Sequence, residues 1–448
     1  MKFKKFFLLT VFMFFFNCEK ESNETDKISE ELNINETKVL PQFVVNTSNK
    51  LILDEPKIPA SMDLYIDGEL NKSYRIGIEL RGSSSQFFEK KSYGIETWDI
   101  NNEDIDTSLG GFPEEEDWIL YGPFSDKSLI RNVLIFQLSN AIGMYGSRTD
   151  FYELTINNKF LGTYVLMEKI KRDKNRVNIN KNIDEDISGG YIIKIDKPPS
   201  EGYTSINSFS SEFDTRGSYI DASDIKFLYS YPKPTEISND QKNYIKKYIN
   251  DFEKALISPN FKDPELGYKK YIDVDSFIDF LILNEISKNI DAYRISTYMH
   301  KDKNQKLKMG PIWDFNLGFG NVNYCDAELT SGWSFNFNDV CGGDNWKVPF
   351  WWNKLFEDSS FVVKLKNRWS DLRTNVFSNQ DLEDRIDKIT NFLIENNAPR
   401  RNFDRWSIIG KYIWPNNYIG NNYNEEIEYL RTWIEERVKW MDEAINSI

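Results

Sequence analysis

Three observations predict an α+β protein from this 448-residue sequence. Short β-branched and aromatic runs fill its first half, apolar residues at three- and four-residue spacing dominate after Pro234, and a hairpin pattern stands where the two regimes meet. From Leu40 to about Trp98, the runs FVVNTS, MDLYID, SYRIGIELRG and SYGIETWD predict strands. Residues 125–142, SDKSLIRNVLIFQLSNAI, have a helical period, with Ser125 as the expected cap and Gly143 as the stop. FYELTINNKFLGTYVLMEKI predicts a hairpin turning at Asn157-Asn158, and GGYIIKIDK a further strand. The β-rich part therefore spans about residues 40–197. Residues 198–224, rich in Ser, Gly and Asp, are expected to form an insertion or long loop, and a helical part covers about 235–448. SNDQKNYIKKYINDFEKALI and DVDSFIDFLILNEISKN predict helices, and ISTYMHKDKNQKLKMGPIWDF predicts a hairpin after them. Beyond a Trp- and Gly-rich stretch (332–352), the tail from Asn353 reads as helical again.

Composition narrows the chemistry. A net charge of −14 argues against nucleic acid as a partner, because phosphate backbones need a basic footprint. One histidine, His300, and three cysteines cannot build a His- or Cys-rich metal site, so enzymatic chemistry here would use carboxylates, cations and a metal held by oxygen. His300 itself, on a predicted strand, reads as structural.

The N-terminus reads as an address. Lys2, Lys4 and Lys5 precede eleven mostly apolar residues, Phe6 to Phe16, a run too short for a bilayer span but suited to a secretory signal. Cys18 follows directly, which resembles a bacterial lipoprotein signal covering residues 1–18; the alternative is a plain signal peptide with an incidental cysteine. Residues 19–39, acidic and nearly without large apolar side chains, predict a flexible tether. Their acidic start resembles surface-export signals of some Gram-negative lipoproteins. The expectation is an exported protein whose membrane partner is reached through lipidated Cys18, anchored to the bacterial outer membrane and open to surface display. In such a compartment Cys325 and Cys341, sixteen positions apart, are a candidate disulfide, the alternative being two unpaired thiols.

The densest candidate for chemistry is NIDAYRISTYMHKDKNQKLKMGPIWDFNLGFG, residues 289–320. A helix ends, Asp291 follows, and a hairpin returns the chain to Asp314, so two carboxylates 23 positions apart meet at one hairpin end. Phosphoryl transfer uses such a pair, one acid orienting the attacking hydroxyl and one holding a metal against the phosphates. Their bland alternatives are a helix-end turn for Asp291 and a buried, backbone-satisfied acid for Asp314.

Four stations in order then resemble the CotH kinase family of bacterial spore-coat and surface proteins. They are RGSSSQFFEKKSYGIE (81–96), DWILYGPFSDKSLIRNVLIFQLSNAIG (117–143) with Asp126 and Arg131-Asn132, LTINNKFLGTYVLMEKI (154–170), and the 289–320 segment with its Gly-Pro-Ile-Trp-Asp. The resemblance implies an atypical protein-kinase-like fold over residues 40–448 and transfer of phosphate from ATP to Ser or Thr of a protein substrate, with Mg²⁺ or Mn²⁺. By that resemblance Asp291 matches the catalytic Asp and Asp314 the metal-binding Asp. Asn316 stands where many members carry a second metal-binding Asp, which leaves an amide oxygen but removes one charge. Arg81 and the segment 82–85 would lie near phosphate, with Lys90 or Lys91 as the paired cation and Glu168 as the carboxylate positioning it. Lys90-Lys91 as a solvated pair, and Arg131-Asn132 as a stitch between helix and sheet, are the plainer readings. A second function, a non-catalytic surface protein on the same fold acting in adhesion, envelope assembly or glycan binding, is favoured by Asn316 and the Trp-rich stretch.

Overall fold

The computed structural model describes residues 38–220 and 223–448; the signal peptide, Cys18 and nearly all of the tether lie outside them. Seven strands close into a barrel. They are β1 (Gln42–Asn46), β2 (Ile58–Ile66), β3 (Glu69–Arg81), β4 (Ser92–Trp98), β5 (Asp117–Tyr121), β6 (Thr149–Ile156) and β7 (Lys159–Glu168). Their order is β1-β2-β3-β4-β5-β7-β6, and a parallel β1–β6 pairing closes the ring, leaving no free edge. The hairpin at Asn157-Asn158 forms as expected, both residues taking the left-handed backbone that a tight turn demands. Alternating side chains such as Phe43, Met62, Ile76, Ile95, Leu120 and Tyr164 fill the barrel.

A second sheet holds β8 (Tyr191–Ile195), β9 (Ser208–Ser210), β10 (Lys226–Tyr231), β11 (Thr297–Lys301) and β12 (Leu307–Met309), ordered β12-β11-β8-β10-β9. The strand 191–195, grouped by sequence with the N-terminal strands, thus pairs with the later hairpin instead. The expected loop 198–224 also carries β9, because Phe209 finds a buried place against Phe227 in the adjoining strand.

Helix α1 (Arg131–Ala141) begins six residues later than its apolar period suggested. Asp126 accepts from the Arg131 backbone N–H (3.0 Å) and from Ser128 Oγ (2.6 Å), while Leu129 turns left-handed, so the preceding residues form a turn and Ser125 caps nothing. Helix α2 (Asn239–Ile257) opens on a capping box between Ser238 and Gln241. Helix α3 (Val274–Ser287) is apolar on nearly every face and accordingly sits in the core, capped by Asp273. The C-terminal helices are α4 (Phe337–Val340), α5 (Trp351–Phe356), α6 (Ser359–Arg373), α7 (Asn379–Glu395), α8 (Ala398–Arg405) and α9 (Tyr423–Ser447); α5, α6 and α9 pack on α3, while α8 packs on β7. Trp351 and Trp352 are fully buried core residues, which removes them from any glycan-stacking surface. The Cys325–Cys341 disulfide is present, its Cα atoms 5.5 Å apart.

Candidate active site

The outer face of the barrel, the segment after β3 and the second sheet line a cleft of about 580 Å³, within the range of small-molecule sites. Asp291, Asp314, Asn316 and Arg81 all line it. Asp291 gets there because α3 stops at Lys288, which adopts the left-handed conformation. The Asp291 backbone N–H then donates to Asn289 Oδ1 (3.3 Å), and its carbonyl accepts from Ile295 N–H (3.1 Å), forming a turn into β11. Its Oδ1 accepts from Arg294 Nη2 at 2.9 Å, while Oδ2 has no hydrogen-bond partner among the described residues.

Asp314 follows the β11–β12 hairpin and also takes the left-handed conformation. The next residue anchors it: Phe315 buries its ring and donates its backbone N–H to Asn132 Oδ1 at 2.8 Å. Arg131 meanwhile pairs with Asp126 (2.6 Å). The Asp126/Arg131-Asn132 station therefore stitches α1 to the hairpin end and sets where Asp314 points.

A third carboxylate, Asp196, completes the group and went unrecognised in the sequence. Lys194 donates to its Oδ2 at 2.7 Å, and the Ser296 N–H donates to its Oδ1 at 3.2 Å. The signal was readable: Lys194 on an otherwise apolar strand and Asp196 just past its end stand two apart, hence on one face of the extended run. Asp314 is exposed to the cleft, yet the protein crowded around its carboxyl, and then the negative charges of Asp291 and Asp196, push that carboxyl up to about 6 against the lowering influence of Lys197 and Arg81. Burial also raises Asp291, against the lowering influence of Arg294.

The cations of the cleft are Arg81, Lys194 and Lys197. Lys90 and Lys91 are not among them, which corrects the expectation for both. Lys90 is buried at the barrel wall, where it donates to Thr163 O (2.6 Å) and Asn402 Oδ1 (2.7 Å), tying β7 to α8. Lys91 donates to Gln86 O (2.6 Å) and Phe88 O (2.5 Å), so it shapes the loop after Arg81 from behind. Glu168 pairs with arginine rather than lysine: it accepts from Arg148 Nη1 (2.5 Å) and from Tyr145 Oη (3.0 Å), with Arg176 at 3.8 Å. Met167 of β7 lines the cleft, and Glu168, the next residue on the strand, points to the opposite face. His300 hydrogen-bonds through Nδ1 with Gly310 O (3.0 Å), away from the carboxylates.

The donor set fits a hard divalent cation. The Asp314 carboxylate and the Asn316 side-chain amide make no hydrogen bond or ion pair with any described residue, so their oxygens are free, and carboxylate and amide oxygens suit Mg²⁺ or Mn²⁺. Ile119, Met167 and Leu228 line the same cleft as the cations, so it carries both apolar and charged walls.

Fold and cleft together define an α+β protein with clustered acids facing clustered cations. Residues 78–441 match the family model described as CotH kinase protein, and the chain belongs to that family. It is a family of kinases, which in general use a nucleotide and a metal. No curated protein matches the chain.

Proposed function

We propose that this protein is an atypical kinase that transfers the γ-phosphate of ATP to a Ser or Thr hydroxyl of an exported or surface protein. The observation that carries the reading is Asp291: one carboxylate oxygen is held by Arg294, and the residue lines a cleft shared with three cations and with Asp314, which has no hydrogen-bond or ion-pair partner among the described residues. Asp314 and Asn316 would hold Mg²⁺ or Mn²⁺, which supplies charge neutralisation on the phosphates. Asp291 Oδ2 orients the acceptor hydroxyl and takes its proton. Arg81, Lys194 and Lys197 bind the phosphate oxygens, and Ile119, Met167 and Leu228 supply apolar walls of the same cleft.

Intact-mass measurement on the full chain with ATP and either metal tests this: phosphate incorporation should appear and be lost in Asp291→Ala. No incorporation, together with no nucleotide-dependent thermal stabilisation with either metal, would leave the non-catalytic surface protein as the better reading.

Two lysines separate the cleft from the barrel wall. Lys194→Ala should raise KM for ATP about 10-fold or more, as loss of a charge-assisted contact does. Lys90→Ala should leave that KM alone and instead destabilise by about 1–3 kcal/mol, since Thr163 O and Asn402 Oδ1 lose their buried donor.

The place of action follows from the address: export, and anchoring of the chain at the outer membrane through lipidated Cys18. Labelled palmitate should enter the wild type in a lipoprotein-processing bacterium and fail to enter Cys18→Ala. Because ATP is scarce outside the cytoplasm, the reaction then runs before export or on a locally supplied donor.

A further inference from the structure

The segment between the disulfide and α5 has no part in the site as described, yet it reaches the carboxylates. Just past Cys341, the Asp344 N–H donates to Cys341 O (3.0 Å), and Asp344 Oδ1 accepts from the Trp346 N–H (2.8 Å). The same oxygen accepts from Arg294 Nη1 at 3.3 Å. Arg294 is 2% exposed, its guanidinium lying 3.9 Å from the centroid of the Phe337 ring. Its Nε donates to Ile290 O (3.0 Å) and its Nη2 to Asp291 Oδ1 (2.9 Å). Among the described residues, no other side chain bonds the Asp291 carboxylate.

A planar guanidinium held by three acceptors and a ring face has one orientation. Without Asp344, one arm of the fork is buried and unpaired, and the group turns toward the acceptors that remain. Asp291, having no second side-chain partner, moves with it.

We propose that Asp344 is a positioning residue for Asp291, acting through Arg294 and held in register by the Cys325–Cys341 disulfide. This rests on the kinase reading. Kinetics with ATP and Mg²⁺ on the full chain should show kcat down about 10²-fold in Asp344→Ala, the scale of a 1 Å misplacement. KM for ATP should stay within about twofold, since Asp344 touches none of the phosphate-binding cations. Asp344→Glu should restore most of kcat, and the Cys325→Ser/Cys341→Ser double variant should repeat the kcat loss. Unchanged kcat in Asp344→Ala, no rescue by glutamate, or a KM rise matching the kcat fall would overturn the proposal. If Asp344→Ala does not fold, Asp344→Asn keeps an acceptor for the Trp346 N–H and should show a smaller loss of kcat alone. If the wild type transfers no phosphate, the kinase reading fails by itself. Crystal structures of wild type and the alanine or asparagine variant then decide the positioning claim: Arg294 displaced from Asp291 in the variant supports it, and an unmoved pair refutes it.

Discussion

Replacing Asp314 by alanine should abolish phosphate transfer and, in the absence of metal, make the protein more stable at pH 7.5. The two effects have one cause. Asp314 makes no ion pair or hydrogen bond with any described residue, and the protein crowded around its carboxyl, with Asp291 and Asp196, raises it to about 6 against the lowering influence of Lys197 and Arg81. Such a charge is poised for a metal and is a burden without one. Loss of the ligand should lower the rate by about 10³-fold or more, roughly 4 kcal/mol of transition-state stabilisation. For stability the sign follows from linkage: an acid whose pKa is raised on folding binds its proton more tightly in the folded state. Stability is therefore complete below the ordinary carboxylate pKa of about 4 and falls as pH rises through about 6. Melting with a chelator present should show the Asp314→Asn gain at pH 7.5 shrinking on acidification and vanishing near pH 4. Metal affinity should run the other way, weakening below about pH 6 as protons compete for the carboxylate. A variant that loses stability at pH 7.5 without metal would contradict this account.

Arg437→Met should be the most destabilising single substitution named here. Arg437 in α9 and Glu285 in α3 are both fully buried and meet at 3.0 Å. Arg437 also donates to Glu285 O (2.7 Å), Thr330 O (3.0 Å) and Gly332 O (2.8 Å). Glu285 accepts in addition from Tyr293 Oη (2.9 Å) and the Ser334 N–H (2.8 Å). Removing one partner strands a buried charge, a loss of about 3–5 kcal/mol. Denaturant unfolding should show the midpoint falling with little change in slope. Because Tyr293 belongs to the turn that carries Asp291, activity should fall as well. The double variant Glu285→Gln/Arg437→Met, which removes both charges, should recover part of the stability. A double variant less stable than Arg437→Met would show that the loss is packing rather than stranded charge.

The pair Asp291 and Asp314 was legible because hairpin geometry is local: a helix stop, two short strands and a polar turn bring both to one end whatever surrounds them. Asn316 was legible through the family resemblance, which places it where many members carry a second metal-binding Asp. Asp196 and Lys194 were harder, since their face of β8 becomes a cleft wall only when β8 pairs with β11, more than a hundred positions later. Lys90 and Lys91 misled because the sequence shows a charge and not its depth. The structure turns Lys90 inward to satisfy a carbonyl and an amide, and turns Lys91 back onto its own loop. Glu168 misled likewise, since its arginine partners lie 20 and 8 positions away with no motif to mark them.

By itself the sequence determined the α+β class, the hairpin with its two aspartates, the cysteine pair and the family. The first three rest on local spacing and composition and the family on the resemblance of four motif stations, all of which the chain carries before it folds. Only the tertiary structure decided which cations face the carboxylates, that a third acid joins them, and that a loop beyond the disulfide reaches Arg294. Those are contacts between distant segments, set by barrel closure and strand pairing, and burial decides them because an unpaired charge is tolerated only where water or a partner can reach it.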